Sequence, residues 1–324
     1  MILKIKVSGL KKVAGLAGPF VGLLLVISIF SLMPEVSDRF LNLANIKSVA
    51  TQSVIVALCA LGMTLIIVSG GIDLSAASNL ALSCVLVAYA INLGLPPLLA
   101  ALVGVAAGGT VGFLNGLLIT RLKLVPFIVT LGMMGIARGL AKWVARNQKI
   151  DAPLSWLNEL MVRTPKPSWL LVSPGIWIMI ILSLVMAVLL RKTVFGRHSF
   201  AVGSNESTAR LCGVRTDRIK VIVYTISGLL CGLAGVMEFS RLTVGDPTVA
   251  VGLELDIIAA VVIGGGSLSG GEGSILGTLV GVFIMAFLRN GCTMMGWPNY
   301  FQEIIIGAII IAAVTLDRLR HRQE

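Results

Sequence analysis

The chain has 324 residues, 56% of them hydrophobic and only 13% charged, with a formal net charge of +11. A soluble domain carries about a quarter charged residues, so most of this length is hidden in lipid. The lysines and arginines sit at the ends of apolar runs and form no stripe interleaved with aromatics, which argues against a nucleic-acid partner. Five cysteines with no CxxC pair and no Cys/His cluster indicate neither a disulfide frame nor a metal site.

The first apolar run, about 13–33, follows Lys4, Lys6, Lys11 and Lys12 and ends in Met33-Pro34-Glu35. A signal peptide has a shorter apolar core and a small-residue cleavage site. This run is long enough to span, at roughly 20 residues for a ~30 Å hydrocarbon core, and reads as an uncleaved first helix with its basic end in the cytoplasm. Further spans fall near 48–69, 76–93, 97–119, 125–145, 174–190, 221–240, 255–268, 274–290 and 300–316, which makes ten. An even count puts both termini, 1–12 and 317–324, in the cytoplasm. The same side then receives Arg121, Lys123, the basic loop 191–220, Arg318, Arg320 and Arg322, as the positive-inside bias requires. Glu35, Asp38, Asp151, Glu159 and Asp246 offset part of the basic charge left outside.

Between the second and third spans comes Ser69-Gly70-Gly71-Ile72-Asp73-Leu74-Ser75, followed by Ala76-Ala77-Ser78-Asn79. Glycines and small hydroxyl residues permit a broken or re-entrant helix, whose open backbone survives at membrane depth only under a cover of protein or water. Asp73 is costly in lipid and either turns to a cavity or the cytoplasmic face, or caps the third helix. Phe113-Leu114-Asn115-Gly116 in the fourth span is echoed by Phe287-Leu288-Arg289-Asn290-Gly291 in the ninth. Each echo precedes an aromatic beside or near proline. Five spans per half would make such repeats inverted, with a substrate path at their interface; two short matches leave chance as the alternative. Arg138, Lys142 and Arg146, four apart near the outer end of the fifth helix, either snorkel to lipid head groups or form an electropositive mouth.

The loop 191–220 is the longest polar island, with Arg191, Lys192, Arg197, Arg210, Arg215, Arg218 and Lys220 against only Glu206 and Asp217. Its middle reads as a short helix: Asn205 at the cap, Glu206 in the first turn, Gly213 at the C-terminal stop. It is either a plain cytoplasmic loop or a docking helix for a soluble partner. Glu238 and Arg241, three apart, read as a local pair. Glu254-Leu255-Asp256 leads into an apolar run and then a glycine run, 264–273. A P-loop needs a lysine after its last glycine, and no Gly-Lys pair occurs in the chain. The run instead suits a tight turn between closely packed helices, with small residues continuing at Gly277 and Gly281.

Four stretches, GMTLIIVSGGIDLS (62–75), FAVGSNESTARLCGV (200–214), YTISGLLCGLAGVMEFSRL (224–242) and GLELDIIAAVVIGGGSLSGGEGSILGTLVG (252–281), resemble the ribose-type permeases of ATP-binding-cassette importers. The resemblance covers nearly the whole chain. It implies an all-α polytopic membrane protein of ten helices, like the vitamin B12 importer subunit, working as a single permease domain (1–324) in the bacterial inner membrane. It also implies a second permease subunit, a cytoplasmic ATPase, an extracytoplasmic sugar-binding protein, and no cofactor or catalytic residue of its own. In that family the segment matching 203–214 sits in the ATPase cleft, which makes Asn205, Glu206, Ala209, Arg210 and Gly213 the docking candidates. Asp73, Asn79, Glu254 and Asp256 are the pathway or gate candidates. The family's substrates are monosaccharides and related polyols. The outer loop 147–173 and the pair Lys142/Arg146 depart most from its ribose members, so the resemblance does not choose among sugars. An ion-coupled secondary transporter, using intramembrane acids, is the alternative class.

Overall fold

The computed structural model describes residues 18–165 and 170–321. The four leading lysines, Arg322 and the terminus 1–12 lie outside the described residues, as do 166–169 of the outer loop. The elements in order are α1 (Gly18–Leu32), α2 (Ser37–Phe40), α3 (Leu43–Val68), α4 (Ala76–Asn92), α5 (Pro97–Arg121) and α6 (Pro126–Val144). A two-residue strand β1 (Ile150–Asp151) and a 3-10 turn (Trp156–Glu159) lead to α7 (Pro174–Lys192), α8 (Val194–Ser204), α9 (Glu206–Leu211) and α10 (Thr216–Leu242). Strand β2 (Val244–Gly245), α11 (Leu253–Ile263), α12 (Ile275–Met294) and α13 (Asn299–His321) complete the chain.

Each of the ten predicted spans contains one helix. Six of them, α3, α5, α6, α7, α10 and α12, are long and apolar enough to cross a membrane, and the chain is an all-α polytopic membrane protein. Proline at the first helical turn, where its missing N–H costs nothing, starts α5, α6 and α7. The span expected at 255–268 is shorter than a crossing: α11 has 11 residues, about 16 Å at 1.5 Å per residue. Gly264 and the turn after it stop the helix there.

Helix α3 is apolar on all sides and almost wholly buried, so it takes the centre, against α7, α10, α11 and α12. The tightest seam joins α5 to α10. Gly104, Gly108, Gly112 and Gly116 recur every four residues along one face of α5; a Cβ on Gly108 would stand 2.6 Å from Gly232 Cα, and one on Gly116 2.7 Å from Val221 Cα. Only small residues allow backbones so close. The glycine run behaves as expected too, because a Cβ on Gly281 would stand 2.8 Å from the carbonyl carbon of Ala260.

The packing repeats between halves. α10 lies on α4 and α5 as α3 lies on α11 and α12, and the pairs α4–α5 and α4–α6 have counterparts in α11–α12 and α11–α13. With five apolar helices in each half, such a correspondence is what an inverted repeat produces.

The molecule therefore has two distinguishable ends. At one, the end of α3, the α8–α9 junction and the glycine turn converge: Gly271 N donates to Val68 O at 3.0 Å, and a Cβ on Gly270 would stand 2.9 Å from Gly70 Cα. At the other, β1 pairs antiparallel with β2, Ile150 opposite Gly245 and Asp151 opposite Val244. That strand pair, between the loop 147–173 and the far end of α10, was not foreseen from two-residue strands of ordinary composition.

Candidate functional site

At the first end, the loop 191–220 folds as two helices where one was expected. Thr193 ends α7 and caps α8, accepting from Gly196 N at 3.1 Å. The six-residue α9 follows at once. Asn205 Oδ1 accepts from Thr208 N at 2.9 Å, the cap its sequence position called for. At the other end Gly213 N donates to Arg210 O and Val214 N to Ala209 O, each at 3.0 Å, with Gly213 at φ +85°. This pair of bonds is the Schellman stop, which favours glycine because a Cβ is penalised at positive φ.

Charge then fixes α9 to the start of α10. Lys220 Nζ lies 2.6 Å from Glu206 Oε2, and Arg210 donates to Thr216 Oγ1 at 2.9 Å and to Asp217 Oδ1 at 3.1 Å. Burial alone would push the Glu206 carboxyl up, but Lys220 and Arg210 outweigh it and hold it below its usual value. Ala209 is buried against the body of the protein. Thus Asn205, Glu206, Ala209, Arg210 and Gly213 build and anchor the helix, while its outward face is Ser207, Thr208, Leu211 and Cys212. Leu211 is 88% exposed. Sequence reasoning passed over it, since an apolar residue in a short amphiphilic helix suggests the inner face.

The pathway candidates fall in separate places. Asp73, 1% exposed, is shut off from solvent, and the residue at the cap of α4 is Ser75. Its carboxylate accepts from Ser75 N at 2.8 Å and Ser75 Oγ at 2.6 Å, closing a local turn. Asn115 of α5 donates to Ser75 Oγ at 2.9 Å, and Tyr224 of α10 to Ile72 O at 3.3 Å, so the break between α3 and α4 is pinned from two helices. Asn79, equally buried, donates from α4 to Gly108 O of α5 at 3.1 Å. Asp256 pairs with Arg289 of α12 at 2.6 Å, with its side chain 3% exposed; Arg289, part of the second echo motif, was not recognised as its partner. Glu254 is half-buried in the same turn of α11. Among the described residues no hydrogen bond or ion pair joins Asp73 and Asn79 to Asp256 or Glu254.

The basic stripe on α6 divides. Arg138 donates to Pro247 O at 2.9 Å and Val249 O at 2.7 Å, clamping the loop before α11, and Glu254 acts on it electrostatically. Neither reading of the stripe, snorkelling or an electropositive mouth, included this clamp. Lys142 and Arg146 are exposed. Near the clamp Lys149 pairs with Asp246 at 3.2 Å; burial acts to raise the Asp246 carboxyl, but Thr248 and Lys149 hold it below its usual value. Glu238 and Arg241 form the local pair expected of their spacing.

The model of a family described as "Branched-chain amino acid transport system / permease component" matches residues 45–314. The ribose import permease protein RbsC of Bacillus subtilis is 41% identical over 93% of this chain and 92% of its own length. RbsC of Escherichia coli strain K12 is 37% identical over 92% of each chain, and the L-arabinose ABC transporter permease protein AraH of Azospirillum brasilense 38% identical over 91% of this chain and 86% of its own. No solved structure matches. The matched span and these relatives establish that the chain belongs to the permease-component family of branched-chain amino acid transport systems, in company with sugar-import permeases.

Proposed function

We propose that this chain is the membrane-spanning subunit of an ATP-driven importer for a monosaccharide or related small polyol, docked to a separate cytoplasmic ATPase through residues 203–214. The reading is supported by relatives whose names specify import of ribose and of autoinducer 2 and ABC transport of L-arabinose. The observation that carries it is α9. A six-residue helix, capped at both ends and tied down by four charged side chains, holds one apolar side chain almost fully out in water at its tip. A tip of this kind is an anchor for a pocket on another protein. The α8–α9 junction also rests on the end of α3 and the glycine turn before α12, so a displaced α9 would load both halves of the bundle.

No residue of this chain does chemistry in this scheme. Nucleotide and sugar-loaded binding protein each bias a two-state equilibrium of the permease, and their effects are linked because both act on the same pair of states. A second permease subunit would complete the pathway. The face of α6 with Gly132, Gly135 and Gly139, over each of which there is open space, suits a closely packed neighbouring helix. The positive-inside bias sets the α9 end, with Arg121 and Lys123, in the cytoplasm of a bacterial inner membrane, and both termini with it.

The test is Leu211→Asp. The permease should insert and purify normally while its affinity for the ATPase falls about thirtyfold, as for an anchor worth ~2 kcal/mol, and sugar-stimulated ATP hydrolysis falls with it. Uptake by the chain alone, in vesicles with an ion gradient and no ATPase, would instead establish the ion-coupled class.

A further inference from the structure

Beside α9 a groove of about 720 Å³ opens between the last turns of α5 and the first turns of α10. Its floor is apolar: Phe113 and Leu117 from α5, Val221 and Ile222 from α10. Phe113 and Ile222 are each 44% exposed. Its rim is basic, with Arg121, Arg215 and Arg218, all exposed and none in an ion pair among the described residues. The carboxylate in its lining, Asp217, is already paired with Arg210.

The rim and floor lie at different depths. Phe113 is eight residues before Arg121, about 12 Å along the helix axis, and Ile222 is seven residues after Arg215, about 10 Å. Both apolar residues belong to membrane-crossing helices, whereas the arginines stand where those helices leave the apolar layer. Three unpaired cations over an apolar slot that runs down the outside of two spanning helices match a molecule with an anionic head and a hydrocarbon tail.

We infer that this groove binds one anionic phospholipid, its phosphate on Arg121, Arg215 and Arg218 and an acyl chain along Phe113, Leu117 and Ile222. A soluble protein could meet the arginines but could not fill a slot extending ~10 Å toward the bilayer centre. Basic pockets between spanning helices hold anionic head groups in the same way. The lipid would brace the first turn of α10, to which Arg210 and Lys220 fasten α9, so the docking segment would be steadier in an anionic membrane. Which leaflet supplies the lipid follows from the sidedness proposed above; the binding itself does not depend on it.

The experiment uses the purified full chain alone in detergent, titrated with phosphatidylglycerol, phosphatidylcholine or glycerol 3-phosphate and read by native mass spectrometry. Phosphatidylglycerol should bind in preference to phosphatidylcholine, and glycerol 3-phosphate should not compete. At about fivefold per arginine near an anionic head group, the triple variant R121Q/R215Q/R218Q should lose about a hundredfold in affinity, while K142Q/R146Q at the opposite end loses nothing. Should the triple variant fail to fold, Arg218→Glu alone, at an exposed site, should weaken binding more than fivefold. Unchanged phosphatidylglycerol affinity in the triple variant, or in Arg218→Glu where that one stands in, overturns the inference, as does equal binding of phosphatidylcholine. Equal binding of glycerol 3-phosphate would make this a soluble-phosphate site. A triple variant that keeps its lipid binding but, co-expressed with the ATPase, no longer co-purifies with it would overturn the inference and give the groove to the ATPase. Because no ATPase or sugar is present in the titration, failure of the docking proposal would leave lipid binding intact.

Discussion

At the scale of single residues, the pair Asp256–Arg289 joins the short α11 to α12 through one ion pair at 2.6 Å. Removing one partner of a buried pair strands a charge, which costs about 3–5 kcal/mol when both are fully enclosed. Arg289 keeps 43% of its side-chain surface, so Asp256→Ala should cost about 2 kcal/mol, seen as earlier thermal unfolding in detergent. The double variant Asp256→Leu/Arg289→Met should recover most of that loss, since it leaves no orphaned charge. Glu206 gives a pH dependence whose sign follows from its depressed carboxyl. The stabilisation is present above the unfolded-state value, near 4.5, and disappears as pH falls through the lower folded-state value. Amide protection factors in α9, corrected for the intrinsic pH dependence of exchange, should be highest near pH 7 and fall below about pH 4.5, and Glu206→Gln should give the lower protection at every pH. The change should be modest, because exposed ion pairs are worth only about 0.2–1 kcal/mol.

At the scale of elements, the α5–α10 seam leaves no room for a methyl group. Gly108→Ala would push a Cβ to 2.6 Å from Gly232 Cα, and since backbone cannot yield as a flexible side chain does, the helices must part. A loss of about 1–3 kcal/mol is expected from such overpacking, measurable as reduced monodisperse yield and a lower midpoint of unfolding. Gly307→Ala on α13, with nothing within 4 Å of the added carbon, is the control within one chain. Helix positions were readable in the sequence because apolar runs must match a fixed bilayer thickness. The ends of α9 were readable because Asn205 and Gly213 each meet a strict backbone requirement. The length of α11 was not, since Leu253–Ile263 is as apolar as a full span and only the turn beyond it sets the stop. The four-residue glycine spacing in α5 was present in the sequence and went unused, because it says that something packs there without saying what.

At the scale of the whole molecule, the contacts among α3, α11 and α12 repeat those among α10, α4 and α5. The fold class and the family were legible, as both rest on long segments. The arrangement of candidate site residues was not, because hydrogen-bond partners such as Asn115 for Ser75, or Pro247 and Val249 for Arg138, lie 40 or more positions apart in the chain. If two permease copies meet through α6, Gly135→Leu should lower the dimer fraction in cross-linking of native membranes without altering insertion, since a Cβ there has nothing within 4 Å in its own subunit. Helix α10 adds a mechanical point. It is an unbroken rod of 27 residues, about 40 Å long, fastened at its base to α9 by Arg210 and Lys220 and at its summit to the outer loop through β2. A tilt of about 5° around the base sweeps the summit sideways by about 3.5 Å. Small strokes at one membrane face thus become visible excursions at the opposite lip, with leverage set by nothing more than the length of one continuous helix.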